Sequence, residues 1–243
     1  PISLFQTRNY AKGEADIIAS RGCPFKCTFC HRNFGNKVIR RTVDDIVDEM
    51  QFLKNEYGAE SFKIEDELLT TSRSFVQELC DRIIKRIPDA RWKSCARVDT
   101  LDSDLLKKMK ISGCWALMVG IESLDDNILA AMNKKITAKQ IDRSISMIKK
   151  AGIEVHPGLI IGMPQETERT VQLVEDFCIR HELNITEWQY AFLTPYPGTE
   201  LFTDLHKKGI IKNDLAFVEK LCKCGDTRNL LINLTAFSDD ALV

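Results

Sequence analysis

Short apolar runs alternate with amphipathic helical stretches along most of this chain. The alternation repeats at intervals of roughly 30 residues, which is the length of a unit made of one strand and one helix. We therefore predict six strand-helix units, and the candidate strands are residues 15–20, 61–65, 91–95, 115–121, 153–161 and 187–193.

Helix signals follow these candidate strands. Thr42 and Ser103 stand just before apolar stripes with helical spacing and are predicted N-caps, and Thr137 begins a further helix of the same kind. Gly113 is expected to end the helix that follows Ser103, because glycine readily adopts the left-handed conformation found at helix ends. The apolar stripes are expected to pack against a sheet.

Such alternation is typical of a parallel sheet whose ligand-binding face is formed by the loops at the carboxyl ends of the strands. Six units are fewer than the eight of a closed barrel. We therefore predict an α/β fold, a partial (β/α)6 TIM-like barrel with a parallel sheet. Residues 1–213 are expected to form one core domain, and residues 214–243, with weaker periodicity, a short C-terminal extension cut from a longer polypeptide.

Composition and charge narrow the class of protein. The chain of 243 residues is 44% apolar, carries a formal net charge of -1 and contains nine cysteines. Near-neutral charge gives no general attraction to nucleic acid or anionic membranes. No apolar run reaches the roughly 18 residues of a membrane span, and no signal-peptide pattern opens the chain. We therefore expect a cytoplasmic protein whose cysteines stay reduced or bind metal.

Three cysteines, Cys23, Cys27 and Cys30, follow the first predicted strand with the spacing CxxxCxxC. Thiolates at this spacing can converge on one site, and soft sulfur ligands select zinc, Cu(I) or an iron-sulfur cluster. A structural zinc ion needs four ligands, and His31 would be the fourth, although it would have to fold back sharply beside Cys30. Three thiolates without a fourth favour a cluster with one open iron, and a zinc-stapled binding module stays the alternative.

With Phe29 before Cys30, the motif reads CxxxCx(aromatic)C and resembles the signature of the radical S-adenosylmethionine (SAM) superfamily. In that family the three cysteines hold a 4Fe-4S cluster whose fourth iron binds SAM. One electron from the cluster cleaves SAM to methionine and a 5′-deoxyadenosyl radical, which takes a hydrogen atom from the substrate. The resemblance implies that Cys23, Cys27 and Cys30 bind the cluster, that Phe29 lies near SAM, and that flavodoxin or ferredoxin donates the electron.

Further matches to the family fall at the carboxyl ends of later predicted strands. Asp66 and Glu67 follow the second strand and imply a contact with the amino group of SAM. Arg97 follows the third strand and implies a contact with a carboxylate of SAM or of a substrate. Glu122 and Ser123 end the fourth strand in a sequence similar to the family's GIES motif, whose acid is suited to the ribose hydroxyls.

The fifth predicted strand carries Ile161 and Gly162 in a segment that resembles the family's GxIxGxxxE motif. The resemblance implies that this segment passes the adenine of SAM. His156, which is polar within an apolar strand, and Tyr190 are further candidates for a contact with substrate or SAM.

Together with residues 132–135, these motifs look most like the branch that is often fused to a cobalamin-binding domain. Its members include methyltransferases and ring-forming enzymes. No cobalamin-binding domain is predicted within the chain, so cobalamin is expected only with a domain absent from it. The leading hypothesis is an enzyme that abstracts hydrogen from a small-molecule or lipid substrate, for methylation or ring formation. A tRNA-modifying radical SAM enzyme is the alternative, which the neutral charge disfavours.

Overall fold

The computed structural model describes residues 13–183 and 190–242. Eight strands lie within these ranges. They are β1 (Glu14–Ile17), β2 (Ser20–Arg21), β3 (Ile39–Arg40), β4 (Ser61–Ile64), β5 (Arg91–Ala96), β6 (Cys114–Glu122), β7 (Glu154–Ile161) and β8 (Tyr190–Phe192).

Nine α-helices lie within the same ranges, and at least one follows each of the six longer strands. They are α1 (Val43–Tyr57), α2 (Arg73–Arg86), α3 (Ser103–Ile111), α4 (Asp126–Ala131), α5 (Ala138–Lys150), α6 (Glu168–Arg180), α7 (Glu200–Lys207), α8 (Asp214–Cys224) and α9 (Asp239–Leu242). Each of these helices is too short or too polar to cross a bilayer.

The main sheet has six strands in the order β1-β4-β5-β6-β7-β8. Pairing is parallel between β1 and β4, β4 and β5, β5 and β6, and β7 and β8. The two short strands β2 and β3 form a separate antiparallel pair. The alternation of strand and helix with this sheet order confirms the predicted fold class, an α/β partial barrel.

The predicted strands match the observed ones except at their ends. The first prediction, residues 15–20, was wrong in its bounds, because β1 ends at Ile17 and Ser20 belongs to the pair of β2 with β3. In the last predicted strand, residues 187–189 lie outside the described residues, and the described remainder contains β8. The proposed domain boundary at residue 213 stays a prediction.

The described residues fall into two compact units. The first comprises residues 13–24, 34–119 and 143–156, and its core contains the fully buried side chains of Phe62, Ile64 and Trp92. The indole nitrogen of Trp92 donates to the carbonyl oxygen of Ser112 at 3.0 Å, so the ring is buried without leaving a donor unsatisfied.

The second unit comprises residues 25–33, 120–142, 157–183 and 190–242. One apolar cluster in it is formed by Ile128, Met132, Met163 and Leu193. Another contains Phe202, Leu205 and Ile211. Helix α8 contributes no buried residue, in keeping with the weak periodicity of its sequence.

Helix α1 begins as predicted, since the Thr42 side chain accepts a hydrogen bond from the Asp45 amide. The N-cap predicted for α3, Ser103, was wrong by one residue. Asp102 is the N-cap, and its carboxylate accepts from the Asp104 and Leu105 amides at 3.0 and 2.9 Å. A carboxylate offers a stronger acceptor to two adjacent N-H groups than a hydroxyl does, which places Ser103 inside the first turn.

Replacing Asp102 by alanine should lower the free energy of unfolding by about 1 kcal/mol, because two amides of the first turn lose their acceptor. Urea denaturation measures the change. Asp102→Asn should cost less, since asparagine also caps helices well. Ser103→Ala is the matched control and should leave stability nearly unchanged. A larger loss from Ser103→Ala than from Asp102→Ala would contradict the assignment.

Candidate active site

The cysteine loop begins at Gly22, which has a φ of 93° in the left-handed region. A Cβ atom at this position would lie 2.2 Å from the carbonyl oxygen of Lys37, so only glycine fits without movement of the backbone. The next amide, that of Cys23, donates to the carbonyl oxygen of Gly35 at 3.1 Å. The backbone before the first thiol is therefore fixed by a close approach and a hydrogen bond.

Cys27 and Cys30 lie in the second unit, where a turn brings the Cys30 amide to 3.3 Å from the carbonyl oxygen of Cys27. Cys23 and Cys27 are partly exposed and Cys30 is exposed, whereas Cys80 and Cys114 are buried. Burial raises the pKa of the Cys80 thiol to about 11, which disfavours the thiolate form that binds metal. The three thiols of the predicted motif are thus accessible, as are those of Cys222 and Cys224.

Among the described residues, no three His, Cys, Asp or Glu side chains are arranged to hold a metal ion. Binding of a cluster by Cys23, Cys27 and Cys30 stays a prediction, which rests on the motif and on the exposure of its thiols. The donor set itself fits, because three thiolates on a loop are the ligands that an iron-sulfur cluster requires.

Phe29 lies between Cys27 and Cys30 in the sequence. Its ring is partly buried and packs against a group of apolar side chains, those of Ile128, Met132, Met163 and Leu193. The ring therefore anchors the loop to the apolar core of the second unit. Its predicted contact with SAM stays a prediction.

His31, considered above as a fourth zinc ligand, has its Nδ1 atom 2.8 Å from the Oδ1 atom of Asn33. Its ring centre lies 6.5 Å from that of Tyr196. The imidazole is thus oriented by its neighbours within the loop and the turn after β8.

Asp66 lies directly beyond β4 and is almost fully buried. Its carboxylate accepts hydrogen bonds from the Ala19 and Ser20 amides at 2.8 and 2.9 Å, and from the Ser20 hydroxyl at 2.5 Å. Burial raises the pKa of Asp66, and these three hydrogen bonds oppose the shift. The geometry favours a structural role, in which Asp66 holds the chain three residues before the cysteine motif.

Glu67, the next residue, has both carboxylate oxygens buried, and neither has a hydrogen-bond partner in the described part of the chain. A carboxylate that is removed from water without a partner is costly unless a ligand or ion satisfies it. Of the two adjacent acids, Glu67 is therefore the better candidate for binding a cationic group.

Arg97 follows β5 and is buried, with its Nε atom 2.6 Å from the Oδ1 atom of Asp99. The pairing places a cation at the carboxyl end of the strand and holds it in one orientation. Its predicted contact with a carboxylate of SAM or substrate stays a prediction.

Glu122 ends β6 with a φ of 64°, in the left-handed region that non-glycine residues rarely adopt. Its Oε1 atom lies 2.5 Å from the Nζ atom of Lys134, and both side chains are nearly buried. Sequence reasoning missed Lys134 as a partner, although residues 132–135 were singled out as a family likeness. Ser123 is buried, and its hydroxyl accepts from the Asp125 amide at 3.2 Å.

Gly162 follows β7 with a φ of 117°. Its amide donates to the Oε2 atom of Glu166 at 2.5 Å, and a Cβ atom here would lie 3.3 Å from the Cβ atom of Leu193. Burial raises the pKa of Glu166, and the amides of Gly162 and Met163 oppose that shift. The glycine thus lets the chain pass close to the end of β8.

A cavity of about 750 Å³ lies in the second unit beside α6. Its walls bring together four predicted site residues, namely Glu122, Ser123, Ile161 and Tyr190. The volume is in the range of pockets that bind molecules of drug or cofactor size. Leu159 also lines the cavity, and Tyr190 is its register partner across β7 and β8.

His156 lies in the first unit, where its Nε2 atom is 2.9 Å from the Oε1 atom of Glu154. Its ring meets the Trp115 ring edge-on, with the centres 6.0 Å apart. Lys93 lies 5.3 Å from the centre of the same indole ring. His156 therefore belongs to a polar and aromatic group, and its contact with substrate or SAM stays a prediction.

The cysteine loop lies within the part of the chain that a known family model matches. The family model of the radical SAM superfamily matches residues 17–178, which is more than half of the chain. The chain belongs to the radical SAM superfamily. Membership confirms the expectation of an enzyme family that uses a 4Fe-4S cluster and SAM. No comparison supports the zinc-stapled module.

Two curated relatives match about three quarters of this chain. The chain is 33% identical over 188 residues to an uncharacterized methyltransferase of Pyrococcus horikoshii, covering 76% of this chain and 40% of the relative. It is 30% identical over 192 residues to the anaerobic magnesium-protoporphyrin IX monomethyl ester cyclase of Rubrivivax gelatinosus, covering 78% and 34%. The chain thus spans well under half the length of these relatives.

The fold is also similar to that of the radical SAM methyltransferase TsrM from Kitasatospora setae, with a TM-score of 0.74 and 20% identity. The match covers 82% of this chain and 39% of TsrM. Another structure of TsrM contains cobalamin and a 4Fe-4S cluster. The predicted likeness to cobalamin-associated radical SAM enzymes is thus confirmed at the level of the fold.

The raised pKa of Asp66 predicts a pH-dependent stability. The folded state holds the Asp66 proton more tightly than the unfolded state, so this residue's contribution to stability declines as pH rises through the folded-state pKa. Urea denaturation between about pH 4 and pH 7 measures the effect, and Asp66→Asn, which cannot ionise, is the reference. The free energy of wild type relative to Asp66→Asn should fall as pH rises, and a difference that grows with pH would contradict this account.

Proposed function

We propose that this chain is the catalytic core of an enzyme that cleaves SAM reductively and abstracts hydrogen from an unactivated C-H position. The observation that carries the proposal is the loop with CxxxCxxC spacing, in which the thiols of Cys23, Cys27 and Cys30 are partly or fully exposed. A 4Fe-4S cluster bound there supplies the electron that breaks the carbon-sulfur bond of SAM.

Cys23, Cys27 and Cys30 bind the cluster in this proposal, and the donors for SAM are the polar groups that follow the strands. Glu67 receives the amino group of SAM, because its buried carboxylate lacks a partner in the described part of the chain. The amino group is a cation and satisfies that charge. Arg97 is the candidate for the carboxylate of SAM or of the substrate.

Residues that line the cavity beside α6 account for the adenosine part of SAM in the proposal. Glu122 accepts from the ribose hydroxyls, with Ser123 beside it at the end of β6. Ile161 offers an apolar wall to the adenine, and Gly162 lets the backbone approach it. In this arrangement Glu122 and Ser123 contact the sugar, and the apolar side chain of Ile161 contacts the base.

The substrate and reaction outcome are proposed from the relatives. A methyltransferase and a ring-forming cyclase are among them, which supports methylation or ring formation on a small molecule or lipid. Use of cobalamin by the whole protein is proposed from the likeness to TsrM. We further propose a flavodoxin or ferredoxin as the electron donor and the cytoplasm as the location.

Reconstitution with iron and sulfide under anaerobic conditions tests the function. The brown protein should convert SAM to 5′-deoxyadenosine after reduction, and chromatography measures the product. Cys27→Ala should abolish the conversion, because it removes one of three cluster ligands. Cys222→Ala replaces an exposed cysteine outside the motif and should retain full conversion.

A colourless product that binds one zinc ion would refute this function. Full production of 5′-deoxyadenosine by Cys27→Ala would refute the assignment of the ligands.

Glu67→Gln should weaken the binding of SAM to the reconstituted chain by roughly tenfold or more, because a charge-assisted hydrogen bond to a buried group is lost. Calorimetry measures the affinity. The variant should be at least as stable as wild type without SAM, since it removes a buried charge that lacks a partner in the described residues.

Glu65→Gln is the matched control, because Glu65 is exposed and paired with Lys63. It should leave the affinity for SAM unchanged. Equal affinity in Glu67→Gln and wild type would show that Glu67 does not bind the amino group.

A further inference from the structure

The segment formed by residues 131–135 begins at the last residue of α4 and contacts the loop that carries Cys27 and Cys30. The Thr28 amide donates to the carbonyl oxygen of Met132 at 3.0 Å, and the Thr28 hydroxyl donates to that of Ala131 at 3.4 Å. The side-chain amide of Asn133 donates to the carbonyl oxygen of Lys26 at 2.7 Å. Three hydrogen bonds therefore join this segment to both sides of Cys27.

The same segment also contacts Glu122, through the ion pair with Lys134. The side chains are 11% and 7% exposed, so the pair is largely withdrawn from water. A buried ion pair contributes modestly to stability, yet removing one partner leaves a charge that nothing else satisfies. Because the pair adds little to stability, its position beside a cavity points to a role in orienting the Glu122 carboxylate.

Three residues at or near this ion pair have a left-handed backbone conformation. Glu122, Asn133 and Lys135 have φ values of 64°, 52° and 55°, all in the left-handed region. Non-glycine residues keep this conformation where their surroundings hold them in it. A Cβ atom on Gly120 would lie 2.5 Å from the Oε1 atom of Glu122 and 2.9 Å from the Nζ atom of Lys134, so glycine leaves the space that the pair occupies.

We propose that residues 131–135 position the two ends of bound SAM relative to each other, with Lys134 orienting the carboxylate of Glu122 and Asn133 fixing the loop of Cys27 and Cys30. The inference rests on the proposed function, which puts the methionine end of SAM at the cluster and its ribose at Glu122. Lys134 and Asn133 act through those groups and are positioning residues.

This arrangement has a physical advantage over two independent supports. Asn133 and Lys134 are adjacent, so the separation between the loop and Glu122 is set by one short segment of fixed conformation. A ligand that contacts both groups then binds without first ordering them, which increases its affinity.

Replacement of Lys134 by methionine tests the proposal in the reconstituted full chain. The affinity for SAM, measured by calorimetry, should fall roughly tenfold or more, because Glu122 loses its charged partner. Lys134→Arg should recover most of the loss, since arginine keeps the charge and can donate to the same oxygen. Lys139→Met is the matched control at an exposed lysine outside the segment and should bind SAM as wild type does.

A double-mutant cycle with Glu122→Gln separates positioning from general destabilisation. If Lys134 acts through Glu122, the double variant Glu122→Gln, Lys134→Met should lose no more affinity than Glu122→Gln alone. This variant carries no unpaired charge at the pair, so it stays informative where Lys134→Met folds poorly. Independent, multiplying losses in affinity would overturn the proposal, as would unchanged affinity in Lys134→Met.

Asn133→Ala tests the other half of the segment. Iron bound per chain after reconstitution should fall relative to Lys139→Met, because the loop of Cys27 and Cys30 loses one of its fixing hydrogen bonds. Full iron content together with wild-type affinity for SAM would contradict the role of Asn133. If wild type itself binds iron but not SAM, the proposed function fails, and the outcome is distinct from failure of the positioning proposal.

Discussion

Parallel pairing of strands is the constraint on which the rest of the structure depends. In a parallel sheet all carboxyl ends reach the same edge, so residues that follow different strands in sequence come to one edge of the sheet. The register of Ile17 with Ile64 and of Ile64 with Ser94 fixes this edge in the first unit, and that of Ile161 with Phe192 fixes it in the second. Predicted site residues follow these strand ends.

The segments beyond the strands are held by few, strong contacts. Asp66 fixes the chain before the cysteine motif through three hydrogen bonds, and Glu166 fixes the turn after β7 through the Gly162 amide. Both carboxylates have their pKa raised by burial. Burying a carboxylate lowers the stability of the folded state. Each of these two carboxylates nevertheless holds, through its hydrogen bonds, a segment that carries predicted binding residues. Glu67 differs, since neither of its carboxylate oxygens has a hydrogen-bond partner in the described residues.

The sequence was sufficient for the fold class and for the family, because both depend on local patterns. Strand-helix alternation has a short period, and the motif around Cys27 lies within a few residues. The sequence could not show that Asp66 and Glu67 have different hydrogen-bond partners, because the surroundings of two adjacent acids are determined by the packing of the folded chain. Lys134 was missed for a similar reason: its partner Glu122 lies 12 residues away, and lysine in a polar turn is ordinarily exposed.

The central claim is that three thiolates leave one iron of the cluster open for SAM. Electron paramagnetic resonance of the reduced, reconstituted chain, recorded with and without SAM, tests it most directly. The account predicts the signal of a reduced 4Fe-4S cluster whose g-values shift when SAM is added, because SAM becomes a ligand of the open iron. A cluster signal that SAM leaves unchanged, in a chain with full iron content, would contradict the account.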